Sequence, residues 1–340
     1  MKSYDVAIVG AGFVGSSLAR HLRTEYRVVT FDVKPDPSLL KGLNVEHRVC
    51  DISRSGELKG KIGKPKVVVN SAVIQIPAIN EIREKAYEVN IKGTQNICEV
   101  VRKTSGTLGL ILCGSWHVFG EREYRGTVDV SFGYRPDKVE ERARLYVISK
   151  MLQEGIVRFY DEMVNHKTYT IIRLGTVLGD NMPKETAANL FVTNGLQRKP
   201  LTPYKHTMHR PMLYLSIDDL CTVFAAYIRK MLDGKLVGSD SKDGIYNLFY
   251  PKPITILELA ETVKEAISKY TLGKVVPQIE IVDKNLPILF SRDEKYDLNA
   301  DISKTLAFFK LSGLKSPRET IFDIVHKRVA DMNLQGTARQ

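Results

Sequence analysis

Val9-Gly10-Ala11-Gly12-Phe13-Val14-Gly15 decides how the rest of the chain is read. The apolar run Val6 to Val9 leads into it, and Val14, Leu18 and Leu22 follow at helical spacing, so a G-x-G-x-x-G stands between a strand and a helix. There the first glycine permits a tight turn, the second lets backbone N–H groups approach a pyrophosphate, and the third lets the helix pack on the strand. The anion then rests on the helix N-terminus. The second strand candidate, Arg27 to Phe31, ends beside Asp32, 17 residues after Gly15. A carboxylate there accepts hydrogen bonds from an adenosine ribose and repels a 2′-phosphate, which favours NAD over NADP, although Lys34 stands close by.

Outward from this turn, further short β-branched runs occur at Val45 to Val49, Val67 to Asn70, Leu108 to Leu112 and Tyr169 to Leu174. Helical patterns separate them, as at Val89, Ile97, Val100 and Val101. Six strands with intervening helices predict an α/β fold, a doubly wound parallel (Rossmann) sheet. Later segments are more polar and punctuated by Pro, with a strand and helix around Leu213 to Met231 and a helix from Thr255 to about Lys269, which predicts a smaller C-terminal α/β substrate lobe. The expected division is 1–178 plus about 211–248 for the NAD-binding domain, about 179–210 plus 249–334 for the substrate lobe, and a frayed tail at 335–340.

The 340 residues are 43% hydrophobic, which excludes a disordered chain, and the four Cys are too few for a small disulfide scaffold. Cys50, Cys98, Cys113 and Cys221 show no metal-ligand spacing and read as buried free thiols. No leader-like segment and no 18-residue apolar window is present, which predicts a cytoplasmic protein with no membrane partner. Lys+Arg 50 against Asp+Glu 39 gives a formal charge of +11, spread along the chain with no basic block interleaved with aromatics. That distribution points to a small anionic ligand and a solvated surface rather than to nucleic acid.

Tyr146 and Lys150 are i and i+4 on one predicted helix face. An ammonium beside a phenol favours phenolate, so Tyr146 is expected to titrate nearer neutral pH and to take a proton from a hydroxyl as hydride leaves carbon. Ser115, at the end of the fifth strand, is placed to hold the same oxygen. The Y-x-x-x-K spacing also occurs at Tyr134/Lys138 and Tyr270/Lys274, but Pro136 interrupts the first and Gly273 the second. Only Tyr146 opens a clean amphipathic segment, through Met151, Leu152, Ile156, Val157 and Tyr160.

From about Val6 to Asn247 the sequence resembles the extended short-chain dehydrogenase/reductase family, the NAD-dependent epimerases and dehydratases of nucleotide sugars. The resemblance is carried, in order, by Cys50-Asp51-Ile52, Val67-Val68-Val69-Asn70-Ser71-Ala72, Val89-Asn90-Ile91-Lys92-Gly93-Thr94, Gly114-Ser115-Trp116-His117-Val118-Phe119-Gly120, Tyr146-Val147-Ile148-Ser149-Lys150, Arg173-Leu174-Gly175-Thr176-Val177-Leu178-Gly179 and Ser216-Ile217-Asp218-Asp219-Leu220. It implies Ser115, Tyr146 and Lys150 as catalytic residues. It implies cofactor contacts from Gly10, Gly12, Phe13, Val14, Gly15, Asp32, Asp51, Ile52, Ser71, Ala72, Asn90, Tyr146, Lys150 and Leu174. A homodimer through the helices at 89–101 and 146–160 is implied as well.

Dehydratases of this family carry Asp-Glu after the catalytic hydroxyl residue, where this chain has Trp116 and His117, which argues against dehydration. His117 reads as a second acid/base or as a hydrogen-bonded structural residue. Thr176 stands at a frequent Asn position and remains able to bond a substrate oxygen. Met212 occupies the usual place of a diphosphate-binding Arg, and Arg210, two residues earlier on the same side of a strand, is the expected substitute, with Lys205 and Arg198 as further cations. Arg142 and Arg144 lie close before Tyr146. The expected function is an NAD-dependent nucleotide-sugar epimerase that oxidises a sugar hydroxyl transiently, contacting substrate through Ser115, His117, Thr176 and Arg210. The alternatives are a dehydrogenase or reductase with net redox, and a non-catalytic NAD-binding regulator.

Overall fold

A computed structural model describes residues 3–236 and 244–337, with side chains to 332. Its centre is a seven-stranded sheet made of β1 (Ser3–Val9), β2 (Val28–Asp32), β3 (Glu46–Val49), β4 (Lys64–Asn70), β5 (Gly109–Ser115), β6 (Thr168–Leu174) and β7 (Ile245–Leu248). Every pairing is parallel, in the order β7-β6-β5-β4-β1-β2-β3. The winding reverses between β1 and β4, whose registers match Val9 with Asn70. Loops diverge from that point and leave a crevice at the strand ends.

Helices cover both faces, so the inner strands read as unbroken apolar runs rather than as alternations. Val6 and Ile8 of β1 face one core with helices α1 (Phe13–Leu22) and α6 (Ile217–Leu232). Ala7 and Val9 face the other with α2 (Ser55–Lys61), α3 (Gly93–Lys103) and α4 (Arg144–Met163). A third core joins α5 (Ala187–Leu196), α7 (Ile256–Tyr270) and α8 (Pro317–Thr337) to Trp116 and Phe119, so it begins where β5 ends. Short pairings tie this part to the rest: Thr176–Leu178 with Tyr214–Ser216, Pro211–Met212 with Ile254–Thr255, and Thr127–Val128 with Asn299–Ala300.

Two elements extend beyond the sequence reading. β5 continues through Gly114 to Ser115, which pairs with Leu174, because the neighbouring β6 keeps offering backbone partners after the apolar run has ended. The crossing expected at 213–248 yields a seventh strand, β7, aligned on Ile171 to Leu174, while its stretch 237–243 lies outside the described residues. α8 continues to Thr337, into the stretch expected to fray, and 338–340 lie outside the described residues. All four cysteines are free and buried. Among the described residues, no helix is long and apolar enough to cross a membrane.

Candidate functional site

The glycine turn leaves β1 beside the end of β4. Gly10 has φ +94°, and a Cβ there would meet the Ala72 backbone nitrogen at 2.7 Å. A Cβ on Gly15 would lie 1.8 Å from the Gly10 carbonyl oxygen and 2.7 Å from Ser71 Oγ, so only glycine lets α1 approach the strand this closely. Ser71 Oγ in turn donates toward the Val9 and Gly10 carbonyls at 3.0 and 2.9 Å. Gly12 caps α1 without a side-chain hydrogen bond, and space is open around it. The first-turn N–H groups, around Phe13 and Val14, are thereby presented to an anion, with no acidic side chain in that turn to oppose it.

Asp32 closes the other side of the turn. Its Oδ2 accepts from Ala11 N at 2.7 Å and its Oδ1 from Lys34 N at 3.0 Å, which fixes the carboxylate at the end of β2 with lone pairs to spare. Further along the strand ends, Asp51 accepts from Ser53 N and Oγ and from Lys85 Nζ at 3.0, 2.6 and 3.0 Å. Burial pushes its carboxyl up, but these bonds outweigh it and hold the group below the usual range. Ile52 is buried against Gly93, and Asn90 bonds both backbone groups of Ile74, at 2.7 and 2.9 Å, and Ser149 Oγ at 3.1 Å. The glycine turn, Asp32, Asp51, Ser71, Ala72 and Asn90 thus line the C-terminal ends of the strands, and their open N–H groups and paired carboxylates fit a dinucleotide.

The structure brings Ser115, Tyr146 and Lys150 together there. α4 carries Tyr146 and Lys150 on one face, with Lys150 Nζ 5.9 Å from the Tyr146 ring centroid. Nζ donates to the Cys113 carbonyl at 2.9 Å, which ties α4 to β5 two residues before Ser115. The expected lowering of Tyr146 by Lys150 does not occur: burial pushes the phenol up, and the opposing pull comes from a hydrogen bond with Ser115. Burial also brings Lys150 down to about 8, against the pull of Cys113 and Glu154. Neither competing Tyr/Lys pair shares a helix: Pro136–Lys138 is a 3-10 turn, and α7 ends at Tyr270, before Lys274.

His117 stands beside this group. Its Nδ1 lies 3.3 Å from Ser115 Oγ, its Nε2 3.5 Å from Glu121 Oε1, and its ring meets Tyr146 edge-on at 6.0 Å. Burial brings the imidazole down to about 4, with Glu121 opposing and Arg210 and Arg142 adding to the effect. Trp116 Nε1 donates to Thr176 Oγ1 at 3.2 Å, and Leu174 is buried at the end of β6. Arg210 does not face an open cleft. Its guanidinium pairs with Glu140, lies 3.9 Å from Glu121 and stacks 5.2 Å above Phe290, with 6% of its surface exposed. Lys205 is paired with Asp283, and Arg198 is exposed at the end of α5.

A cavity of about 850 Å³ lies at the start of α4, walled by Arg142, Arg144 and Leu145 and by His206, Leu286, Leu289 and Phe290. Arg83 and Arg122 add to its lining, which also holds Glu140 and Glu141. Among the described residues, Arg142 is paired with Glu140, whereas Arg83, Arg122 and Arg144 make no ion pair. Arg122 Nε is buried without a partner. Sequence reading missed Glu121, Arg83 and Arg122, because spacing along the chain carries no signal for groups that meet only across loops. It also missed Glu154, one turn beyond Lys150, which binds the buried Arg173 guanidinium at 2.9 Å.

The NAD dependent epimerase/dehydratase family model matches residues 6–241. A UDP-glucose 4-epimerase of Thermus thermophilus, solved with NAD, is 19% identical, with a TM-score of 0.74 over 96% of this chain and 99% of that one. A dTDP-glucose 4,6-dehydratase of Bacillus anthracis, also solved with NAD, is 18% identical, with a TM-score of 0.74 over 98% of each chain. At these identities the likeness shows the fold. Among curated proteins, the decarboxylating sterol-4-alpha-carboxylate 3-dehydrogenase of Schizosaccharomyces pombe is 29% identical over 109 residues, which span 30% of this chain and 31% of that one. The chain belongs to the NAD-dependent epimerase/dehydratase family; it is an enzyme of the extended short-chain dehydrogenase/reductase type, and its cofactor is NAD.

Proposed function

We propose that this enzyme is a nucleotide-sugar epimerase with Tyr146 as acid/base. One observation carries the reading: Ser115, Tyr146 and Lys150 stand together, and the start of the helix that bears Tyr146 and Lys150 also walls a large cavity lined by Arg83, Arg122 and Arg144, which make no ion pair among the described residues. Guanidinium forks suit the diphosphate of a sugar nucleotide, and these three take over the part expected of Arg210. A cavity of about 850 Å³ also leaves room for a sugar to turn between two half-reactions. NAD⁺, when bound, supplies the acceptor that makes a sugar hydroxyl a ketone and later reverses the change. Ser115 holds the reacting oxygen, Tyr146 takes and returns its proton, Lys150 holds a ribose hydroxyl of the cofactor, and Thr176 bonds a sugar oxygen.

On this reading, 1–178 with about 211–248 form the cofactor domain, which also lends Ser115, Thr176 and the three arginines to the substrate, and about 179–210 with 249–334 form the substrate lobe. A homodimer is proposed through α4, whose outer face exposes Leu152, Phe159 and Met163, with Tyr87 beside it. Size-exclusion chromatography with light scattering tests this, since a Phe159→Glu variant should run as a monomer. For the activity, the purified protein is extracted for NAD(H) and then offered UDP- and GDP-sugars. Turnover without net NADH, lost in Tyr146→Phe, is expected; equal activity in the two proteins overturns the mechanism.

A second reading, a net dehydrogenase, is favoured by the apolar side of the cavity at Val139, Leu145, Leu286 and Phe290 and by the partial likeness to a sterol-carboxylate dehydrogenase. Stoichiometric NADH formation would select it.

A further inference from the structure

β2 lies between β1 and β3, and Thr30 of β2 is in register with His47 of β3. Both ring nitrogens of His47 are engaged: Nε2 lies 2.8 Å from the Lys34 carbonyl oxygen, and Nδ1 2.9 Å from Thr30 Oγ1. A carbonyl only accepts, so Nε2 donates to it, and in the neutral ring Nδ1 then accepts from the Thr30 hydroxyl. Thr30 is wholly buried, which anchors the imidazole from inside the sheet. Val33 and Lys34 follow the last residue of β2 and are exposed, so the strand ladder does not hold them. Lys34 N donates to Asp32 Oδ1 at 3.0 Å, and Ala11 N to Asp32 Oδ2 at 2.7 Å. A chain of hydrogen bonds thus runs from Thr30 through His47 and the Lys34 backbone to the Asp32 carboxylate and the glycine turn.

We propose that His47 is a positioning residue that sets the preference for NAD over NADP, by holding the Lys34 carbonyl and, through it, the Asp32 carboxylate. With an N–H on each oxygen the carboxylate cannot turn about its own axis, so its free lone pairs keep one direction for the ribose hydroxyls of the adenosine end. The same fixed charge repels a 2′-phosphate. Release of the Lys34 carbonyl has two effects of opposite sign. Asp32 loses one of its two donors and holds the ribose less well. The Lys34 ammonium, which makes no ion pair among the described residues, is freed with its backbone to neutralise a 2′-phosphate. The signature is therefore a change in the ratio of the two affinities rather than a uniform loss of binding. The inference concerns the cofactor alone and holds whether the substrate is a nucleotide sugar or another alcohol.

The test is calorimetric titration of the full chain with NAD and with NADP, which needs no turnover. His47→Asn keeps an acceptor for the Thr30 hydroxyl but is too short to reach the Lys34 carbonyl, whereas His47→Gln reaches it with an amide N–H. In His47→Asn the ratio of NAD to NADP affinity should fall about fivefold, the effect of one ordinary hydrogen bond. In His47→Gln it should return to the wild-type value. Adding Lys34→Ala to His47→Asn should remove the gain in NADP binding and leave the loss in NAD binding. Urea denaturation of the same variants separates a merely structural role: lowered stability with an unchanged ratio overturns the proposal. A His47→Gln ratio no better than that of His47→Asn overturns it too, as does a wild type that binds both cofactors equally.

Discussion

Arg173 binds Glu154 through both Nε and Nη2, 2.9 Å at the closest, in a pair almost sealed from solvent. Tyr134 Oη donates to the same carboxylate at 3.1 Å, and the Phe119 ring lies 4.9 Å under the guanidinium. The pair joins β6 to α4 one turn beyond Lys150, so it fixes the roll of the helix that carries Tyr146 and Lys150. Removing one partner leaves the other buried and uncompensated. Glu154→Gln should lower unfolding free energy by about 3–5 kcal/mol, measured by urea denaturation.

Gly15→Ala tests the close approach in the glycine turn. The added carbon would fall 1.8 Å from the Gly10 carbonyl, a backbone atom that cannot rotate away, so α1 must shift. The expected result is a loss of about 1–3 kcal/mol in stability, seen in a lower Tm, together with loss of NAD binding by fluorescence titration.

Asp32→Ala removes the carboxylate at the end of β2 and the acceptor for Ala11 N. NAD affinity should weaken about tenfold, roughly 1.4 kcal/mol, while NADP gains relative to it because the repelling charge is gone and Lys34 remains. Calorimetric titration with both cofactors reads the ratio.

His117 gives the fold an acid-side dependence. The unfolded imidazole protonates near pH 6.5, whereas the folded one holds out to about 4, so the unfolded state binds more protons between these values. Stability therefore falls as pH drops from 6.5 to 4, by about 3 kcal/mol from this residue. His117→Asn should flatten that part of a stability profile measured by urea titration in this window; an unchanged slope refutes it.

Unbroken short apolar runs and the glycine turn made the sheet readable, because each strand buries its own residues whatever its partners are. β7 was harder to see: Ile245-Tyr246-Asn247-Leu248 is four residues long, and its place beside β6 depends on a partner over 70 residues earlier. At the site, Tyr146 and Lys150 were legible since one helical turn joins them. Arg210 was misjudged because its partner Glu140 is 70 positions away, and no spacing rule connects a loop arginine to a loop carboxylate. The state of Tyr146 also escaped sequence reasoning, which saw the nearby ammonium but not the burial that outweighs it.

The position of β7 limits how this protein can be cut. It forms one edge of the sheet, where β6 is its strand partner, yet it arrives about 70 residues after β6, once the chain has left the sheet through α5 and returned by α6. A fragment ending before Ile245 would leave the β6 backbone groups bare, an open template for pairing with other molecules. The seven-stranded sheet therefore cannot be expressed as a simple N-terminal piece, and any exchange of segments between relatives has to keep Ile245–Leu248 in place.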